Sequence, residues 1–315
     1  MRFARSLFLV LLILPRFTRA DGPFHLKDGE TVLFLGDSIT QAGRYVVDVE
    51  AFLLTRFPDR SFTIVNHGIS SETVSGTSEP DHDPRRPDAH NRFTRDVTAW
   101  SPDVLVACFG MNDGNYFPFE ADRFARYQAG VNRLLDRARD EARVKRVTLL
   151  TPPPFDPYRR RASDAEATTY GYKFASIDYD QTLGRYSDWL LTLPRDRPGL
   201  LVVDVHSALN AHLAERRKRK VSYFLAGDAV HPNPTGHWLM AQALLLAWNA
   251  PAVVAEATVS ASERKALSGE VRDVSAEEDE GLTFTWRSPL PLPVDPACDP
   301  ASLALERVGE RLNRY

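Results

Sequence analysis

A chain of 315 residues, 43% hydrophobic and 26% charged, has the composition of a globular protein, which excludes a wholly disordered chain and a bundle of membrane spans. Its net charge of -3 lacks the basic footprint of a nucleic-acid binder, so no nucleic-acid partner is expected. Two cysteines allow one disulfide at most.

The first 20 residues, "MRFARSLFLVLLILPRFTRA", place Arg2 and Arg5 before an apolar core from Leu7 to Leu14 and end on Ala20, two positions after Thr18. This is the pattern of a secretory signal whose core is too short to cross a bilayer. The expectation is cleavage, export to the periplasm or the medium, and no stable membrane span afterwards; an uncleaved anchor is the alternative. Removing the four arginines of this segment leaves 35 basic against 42 acidic residues, a mildly acidic mature protein.

Next comes "TVLFLGDSIT". Val32 to Leu35 form a continuous apolar run, which suits a strand buried on both faces of a parallel sheet. Further strands are predicted at Phe62–Asn66, Val104–Phe109, Val144–Thr151 and Gly199–Val205. Between them "RYVVDVEAFLLTRF" and the stripe Phe124, Tyr127, Val131, Leu134, Leu135, Ala138 carry helical periodicity, and a last helix is predicted over Thr235–Asn249. Strands that alternate with helices imply a parallel α/β sheet with right-handed crossovers. Cys108, within "DVLVACFG", reads as a buried free thiol, and Cys298 lies in a proline-rich tail.

Two segments break the alternation: 71–90, "SETVSGTSEPDHDPRRPDAH", and 152–172, "PPPFDPYRRRASDAEATTYGY". Loops of such length are functional or disordered, and in an open α/β sheet they hang over the carboxyl edge where ligands bind. After Pro251 the pattern changes again, to a strand in "VVAEATVS", a charged hairpin over "EVRDV" to "GLTFTW", an extended "SPLPLPVDPACDP" and a closing helix. The chain thus divides into a signal (1–20), a main α/β domain (21–250) and an accessory extension (251–315).

Ser38 directly follows the first strand, at the ligand-binding edge. By itself a serine there caps a helix as readily as it attacks a substrate. A serine hydroxyl becomes a nucleophile only when a base takes its proton and a partner fixes the tautomer of that base. Asp228 and His231, three apart in "GDAVHPNPTGH" before the last helix, supply both, although they could equally cap that helix. Acyl transfer also needs hydrogen-bond donors for the oxyanion. Gly68 ends the second strand and Asn112 follows the third, so with the Ser38 N–H three strand ends offer donors; a turn glycine and a capping asparagine are the plainer readings. His82, Asp83 and His90 are potential metal ligands in the first insertion but fit no tight ligand spacing, and "RRKRK" at 216–220 and "RRR" at 159–161 read as solvated loop faces. There is no Gly-x-Ser-x-Gly elbow, which argues against the other large serine-esterase fold.

Taken in order, Gly36-Asp37-Ser38-Ile39, Asn66-His67-Gly68, Gly110-Met111-Asn112-Asp113 and Asp228-Ala229-Val230-His231 resemble the four blocks of the SGNH (GDSL-type) hydrolase superfamily. Ile39 stands where the family name has leucine. The resemblance implies a flavodoxin-like three-layer α/β/α sandwich with a five-stranded parallel sheet over about 31–249. It implies Ser38 as nucleophile, His231 as base and Asp228 as its orienting carboxylate. It also implies Ser38, Gly68 and Asn112 as oxyanion donors, with no metal or organic cofactor. The expected function is hydrolysis of a small-molecule or polysaccharide ester, such as an acetylated carbohydrate. A lysophospholipase or thioesterase of the same fold and a non-catalytic carbohydrate-binding protein are the alternatives.

Overall fold

A computed structural model describes residues 22–160, 169–277 and 281–314, so the signal assigned to 1–20 lies outside the described residues. Five strands, β1 (Thr31–Gly36), β2 (Thr63–Gly68), β3 (Val104–Cys108), β4 (Arg146–Leu150) and β5 (Leu200–Val203), form one sheet in the order β2-β1-β3-β4-β5. Every pairing is parallel. From β1 the chain passes outward to β2 on one side, and from β3 it passes outward to β4 on the other, so the crevice between β1 and β3 at their carboxyl ends is the topological switch point. The fold is the three-layer α/β sandwich expected of the sequence.

Alternation along β1 explains the layers. Val32 and Phe34 face one core with α2 (Arg44–Arg56), α6 (Val205–Arg219) and α7 (Pro234–Ala247). Leu33 and Leu35 face the other with α3 (Ala89–Asp96), α4 (Ala121–Asp140) and the end of α5 (Tyr179–Leu190). A short α1 (Ser38–Ala42) joins β1 to α2, turning at Gly43 with φ 76°. Period two in the strand thus becomes two hydrophobic interiors.

Predicted and observed boundaries differ by a few residues for physical reasons. The β5 strand stops at Val203 because Asp204 already caps α6, accepting from the Ser207 N–H at 3.0 Å. Beyond α7 the chain makes two antiparallel hairpins, β6 (Thr258–Ser260) with β7 (Lys265–Ser268) and β8 (Val271–Glu277) with β9 (Gly281–Trp286). An extended stretch and two short helices, α8 (Pro300–Leu305) and α9 (Val308–Arg311), follow. Only the end of "VVAEATVS" is strand; Val253 instead bridges to Arg314. The run 216–220 is also corrected: Arg216 to Arg219 form the last turn of α6, where Arg216 pairs with Asp299 and Arg217 with Asp156. Both cysteines are free and buried.

Candidate active site

Ser38 is the first residue of α1, but it does not cap that helix. The N-cap is Asp37, whose carboxylate accepts the Ile39 N–H at 2.9 Å, leaving the Ser38 hydroxyl for another partner. That partner is His231: Ser38 Oγ lies 2.8 Å from His231 Nε2, across 193 residues of chain. The helix after His231 is likewise capped by a different residue, Asn233, which accepts from the Gly236 N–H at 3.0 Å. Both capping alternatives are therefore occupied by neighbours, and the two side chains meet each other instead.

Asp228 completes the line. Its Oδ2 is 2.7 Å from His231 Nδ1, while Oδ1 accepts the backbone N–H groups of Val230 (3.1 Å) and His231 (2.8 Å). This tight turn passes through Ala229 at φ 75°, a left-handed conformation that costs an alanine about 1 kcal/mol or more. Burial works against ionisation of Asp228, but the hydrogen bonds from the imidazole and the two backbone groups outweigh it, holding the carboxyl well below the usual range. A carboxylate on Nδ1 fixes the tautomer in which Nε2 can take the serine proton. The histidine and aspartate side chains keep 40% and 31% of their exposure, so substrate has access.

Sequence reasoning missed Tyr172, from the 152–172 segment: its hydroxyl donates to Asp228 Oδ2 at 3.0 Å and its ring meets the His231 ring edge-on at 6.2 Å. No spacing rule marks such a residue, since its role comes from loop closure.

Asn112 is buried just beyond β3 with an orientation fixed from both ends. Its Oδ1 accepts from Arg86 Nη1 (3.0 Å) and the Tyr116 hydroxyl (3.1 Å), and its Nδ2 donates to the Glu72 carbonyl at 3.1 Å. Two donors on one end and an acceptor on the other identify which end is NH2. Gly68 sits in register with Gly36 of β1 at the same edge, but its N–H is given to Asn66 Oδ1 at 3.0 Å. Three residues on, Ser71 adopts φ 62°, and its N–H has no hydrogen-bond partner among the described residues.

Buried ion pairs hold this rim. Arg92 on α3 binds both oxygens of Glu72 and reaches the His67 carbonyl at 2.8 Å; Arg86 pairs with Glu79. Asp113 Oδ1 accepts the Val74 and Ser75 N–H groups, each at 2.9 Å, so the 71–90 segment is stitched to the end of β3. Among the described residues no three His, Cys, Asp or Glu side chains are grouped to hold a metal; His82 binds the Pro84 carbonyl and His90 that of Gly130.

Comparison with known proteins places this arrangement in context. A profile of the GDSL-like lipase/acylhydrolase family matches residues 34–239. An acetylxylan esterase from Geobacillus stearothermophilus is 28% identical over 246 residues, 70% of this chain and 94% of that protein. A solved acetyl-xylooligosaccharide esterase from the same genus superposes with a TM-score of 0.53 at 25% identity, covering 72% of this chain and 97% of that one. Solved catalytic mutants of that same esterase carry their changes at a serine, at an aspartate and at a histidine three residues after that aspartate. A gut microbial diltiazem-metabolizing enzyme shares the fold with a TM-score of 0.73 at 21% identity; the match covers 94% of this chain and 66% of that one, so this chain spans just under two thirds of its length.

Proposed function

The chain belongs to the GDSL-like lipase/acylhydrolase family, within the SGNH hydrolases, and from that premise we propose that it is an exported serine esterase removing small acyl groups such as acetate from carbohydrates. The observation that carries the mechanism is the contact of 2.8 Å between Ser38 Oγ and His231 Nε2. Ser38 Oγ attacks the ester carbonyl as Nε2 takes its proton, while Asp228 steadies the imidazolium that forms. The negative charge on the tetrahedral oxygen is met by the Ser38 N–H, which starts a helix and has no helical acceptor, and by the Asn112 Nδ2–H. Collapse expels the alcohol with the proton from His231, leaving an acyl group on Ser38. Water, deprotonated by His231, then releases the acid.

The acetyl-carbohydrate preference draws its support from the acetylxylan esterase relative and from the polar sequence of the segments 71–90 and 152–172. Export rests on the pattern of residues 2–20 alone. The test compares Ser38→Ala with the wild-type protein on acetylated xylo-oligosaccharides and on nitrophenyl esters of graded chain length. Acetate release should fall by about 10⁴-fold or more in the variant. Equal rates would remove Ser38 from the reaction, and a wild-type preference for octanoate over acetate would favour a lysophospholipase or thioesterase.

A further inference from the structure

Arg86 takes no part in the steps above, yet it is sequestered at their centre, with its side chain 2% exposed and that of Glu79 4% exposed. Burying such a pair is costly and seldom stabilises a fold more than apolar residues of the same volume would. Its geometry shows a second use. One edge of the guanidinium, Nε and Nη2, grips the two Glu79 oxygens, with Nη2 to Oε1 at 2.6 Å. The remaining nitrogen, Nη1, is turned the other way, to Asn112 Oδ1 at 3.0 Å and to the Ser71 carbonyl at 3.3 Å. The group also lies over the Tyr116 ring, 5.5 Å from its centre, and the Tyr116 hydroxyl supplies the second donor to the same Oδ1.

We propose that Arg86, gripped by Glu79, is the positioning residue of the oxyanion hole: it holds the Asn112 carboxamide so that an N–H rather than the C=O meets the developing negative charge. The inference rests on the reading of Asn112 as an oxyanion donor. A carboxamide is nearly symmetric in shape, so rotation by half a turn is opposed only by its partners. The flipped amide would set NH2 against the guanidinium N–H and oxygen against the Glu72 carbonyl, losing hydrogen bonds at both ends. Its NH2 has two hydrogens and Glu72 takes one, which leaves the other for the substrate oxygen. The 71–90 segment thereby becomes part of the catalytic apparatus, because both members of the pair lie in it. A lysine could satisfy Glu79 or Asn112, but its single ammonium lacks the fork that serves both.

The experiment is a double-mutant cycle read in kcat and KM on a nitrophenyl acetate, using Arg86→Met, Asn112→Ala and the double variant, with circular dichroism confirming the fold. Asn112→Ala should lower kcat by about 100- to 1,000-fold. Arg86→Met should lower kcat by about 10- to 100-fold with KM within about threefold of wild type, and the double variant should lie within about threefold of Asn112→Ala alone, as for residues acting through one group. Full multiplication of the two losses, or a normal kcat in Arg86→Met, overturns the proposal. A normal kcat in Asn112→Ala instead removes the oxyanion reading beneath it. Should Arg86→Met fail to fold, Arg86→Lys, which keeps a cation opposite Glu79, replaces it in the cycle with the same expected coupling.

Discussion

At the level of single residues, the site shows how little separates a cap from a catalyst. Asp37 caps α1 so that Ser38 need not, and it does so from a fully buried position. Burial pushes its pKa up to about 7; the Ile39 N–H pulls it down, and the carboxylate of Asp113, itself raised by burial to about 6, pushes it up. An acid whose folded pKa lies above its unfolded value of 3.8 contributes stability that is complete below about pH 4 and lost as pH rises through about 7. The shift corresponds to roughly 4 kcal/mol at most, at about 1.4 kcal/mol per unit. Asp37→Asn keeps an oxygen for the Ile39 N–H and cannot ionise. Its melting temperature should therefore match wild type near pH 4 and exceed it by several degrees at pH 8, with a residual slope from Asp113. Parallel melting curves across that range would show that Asp37 is not the group responsible.

At the level of elements, what was legible followed from periodicity, and what was hidden followed from polar residues on buried faces. The β1 and β3 strands declare themselves because both of their faces are apolar, and α2 and α4 because their stripes are. Helices α3 and α6 bury His90 and Arg92, and His206, His212 and Arg216, respectively, so their hydrophobic periodicity is blurred and the sequence reads their ends as loop. The proposed triad was legible because its short blocks come in a known order, Ser38 just after β1 and the Asp228–His231 pair just before α7. Arg86, Glu79 and Tyr172 were not, because nothing local says which partner a loop side chain will find when the loop closes. Gly68 is the instructive case between these. A Cβ added there would lie 2.1 Å from the Gln41 N and 2.5 Å from the Thr40 carbonyl carbon, both backbone atoms of α1. The absent side chain is what lets the helix bearing Ser38 pack against the end of β2. Gly68→Ala should push α1 away, lowering stability by about 2–3 kcal/mol and kcat by tenfold or more. Thermal melting and turnover on a nitrophenyl acetate check this, and wild-type values in both would mean that α1 can yield without moving Ser38.

At the level of the molecule, the change of composition after Pro251 does not mark a boundary in the packing. Leu292, Cys298, Val308 and Leu312 belong to the same hydrophobic interior as Val32, Phe34 and α7. His212 and Tyr223 both reach the Ser302 hydroxyl, binding α8 to the domain at 2.9 and 2.7 Å. The hairpins β6–β7 and β8–β9, by contrast, keep exposed residues such as Leu267 and Phe284. Arg56, buried in the last turn of α2, ties the departure of the tail to its return: it donates to the carbonyls of Pro251 (2.6 Å), Val253 (3.0 Å) and Leu312 (2.5 Å). Three acceptors served by one cation are a concentrated dependence: removing the donor costs about 1 kcal/mol or more at the buried Leu312 carbonyl and less at the half-buried carbonyls of Pro251 and Val253. Arg56→Met, which keeps an apolar side chain of similar length but removes the guanidinium that lies over the Phe52 ring, should therefore lower the melting temperature by several degrees and make residues 287–314 the first to be cut in limited proteolysis. Turnover well below the new melting point should stay within about twofold of wild type, because α1, β3 and the 225–233 loop are held by other contacts. If the tail stayed resistant and the melting point unchanged, the shared interior rather than the arginine would be what keeps it in place.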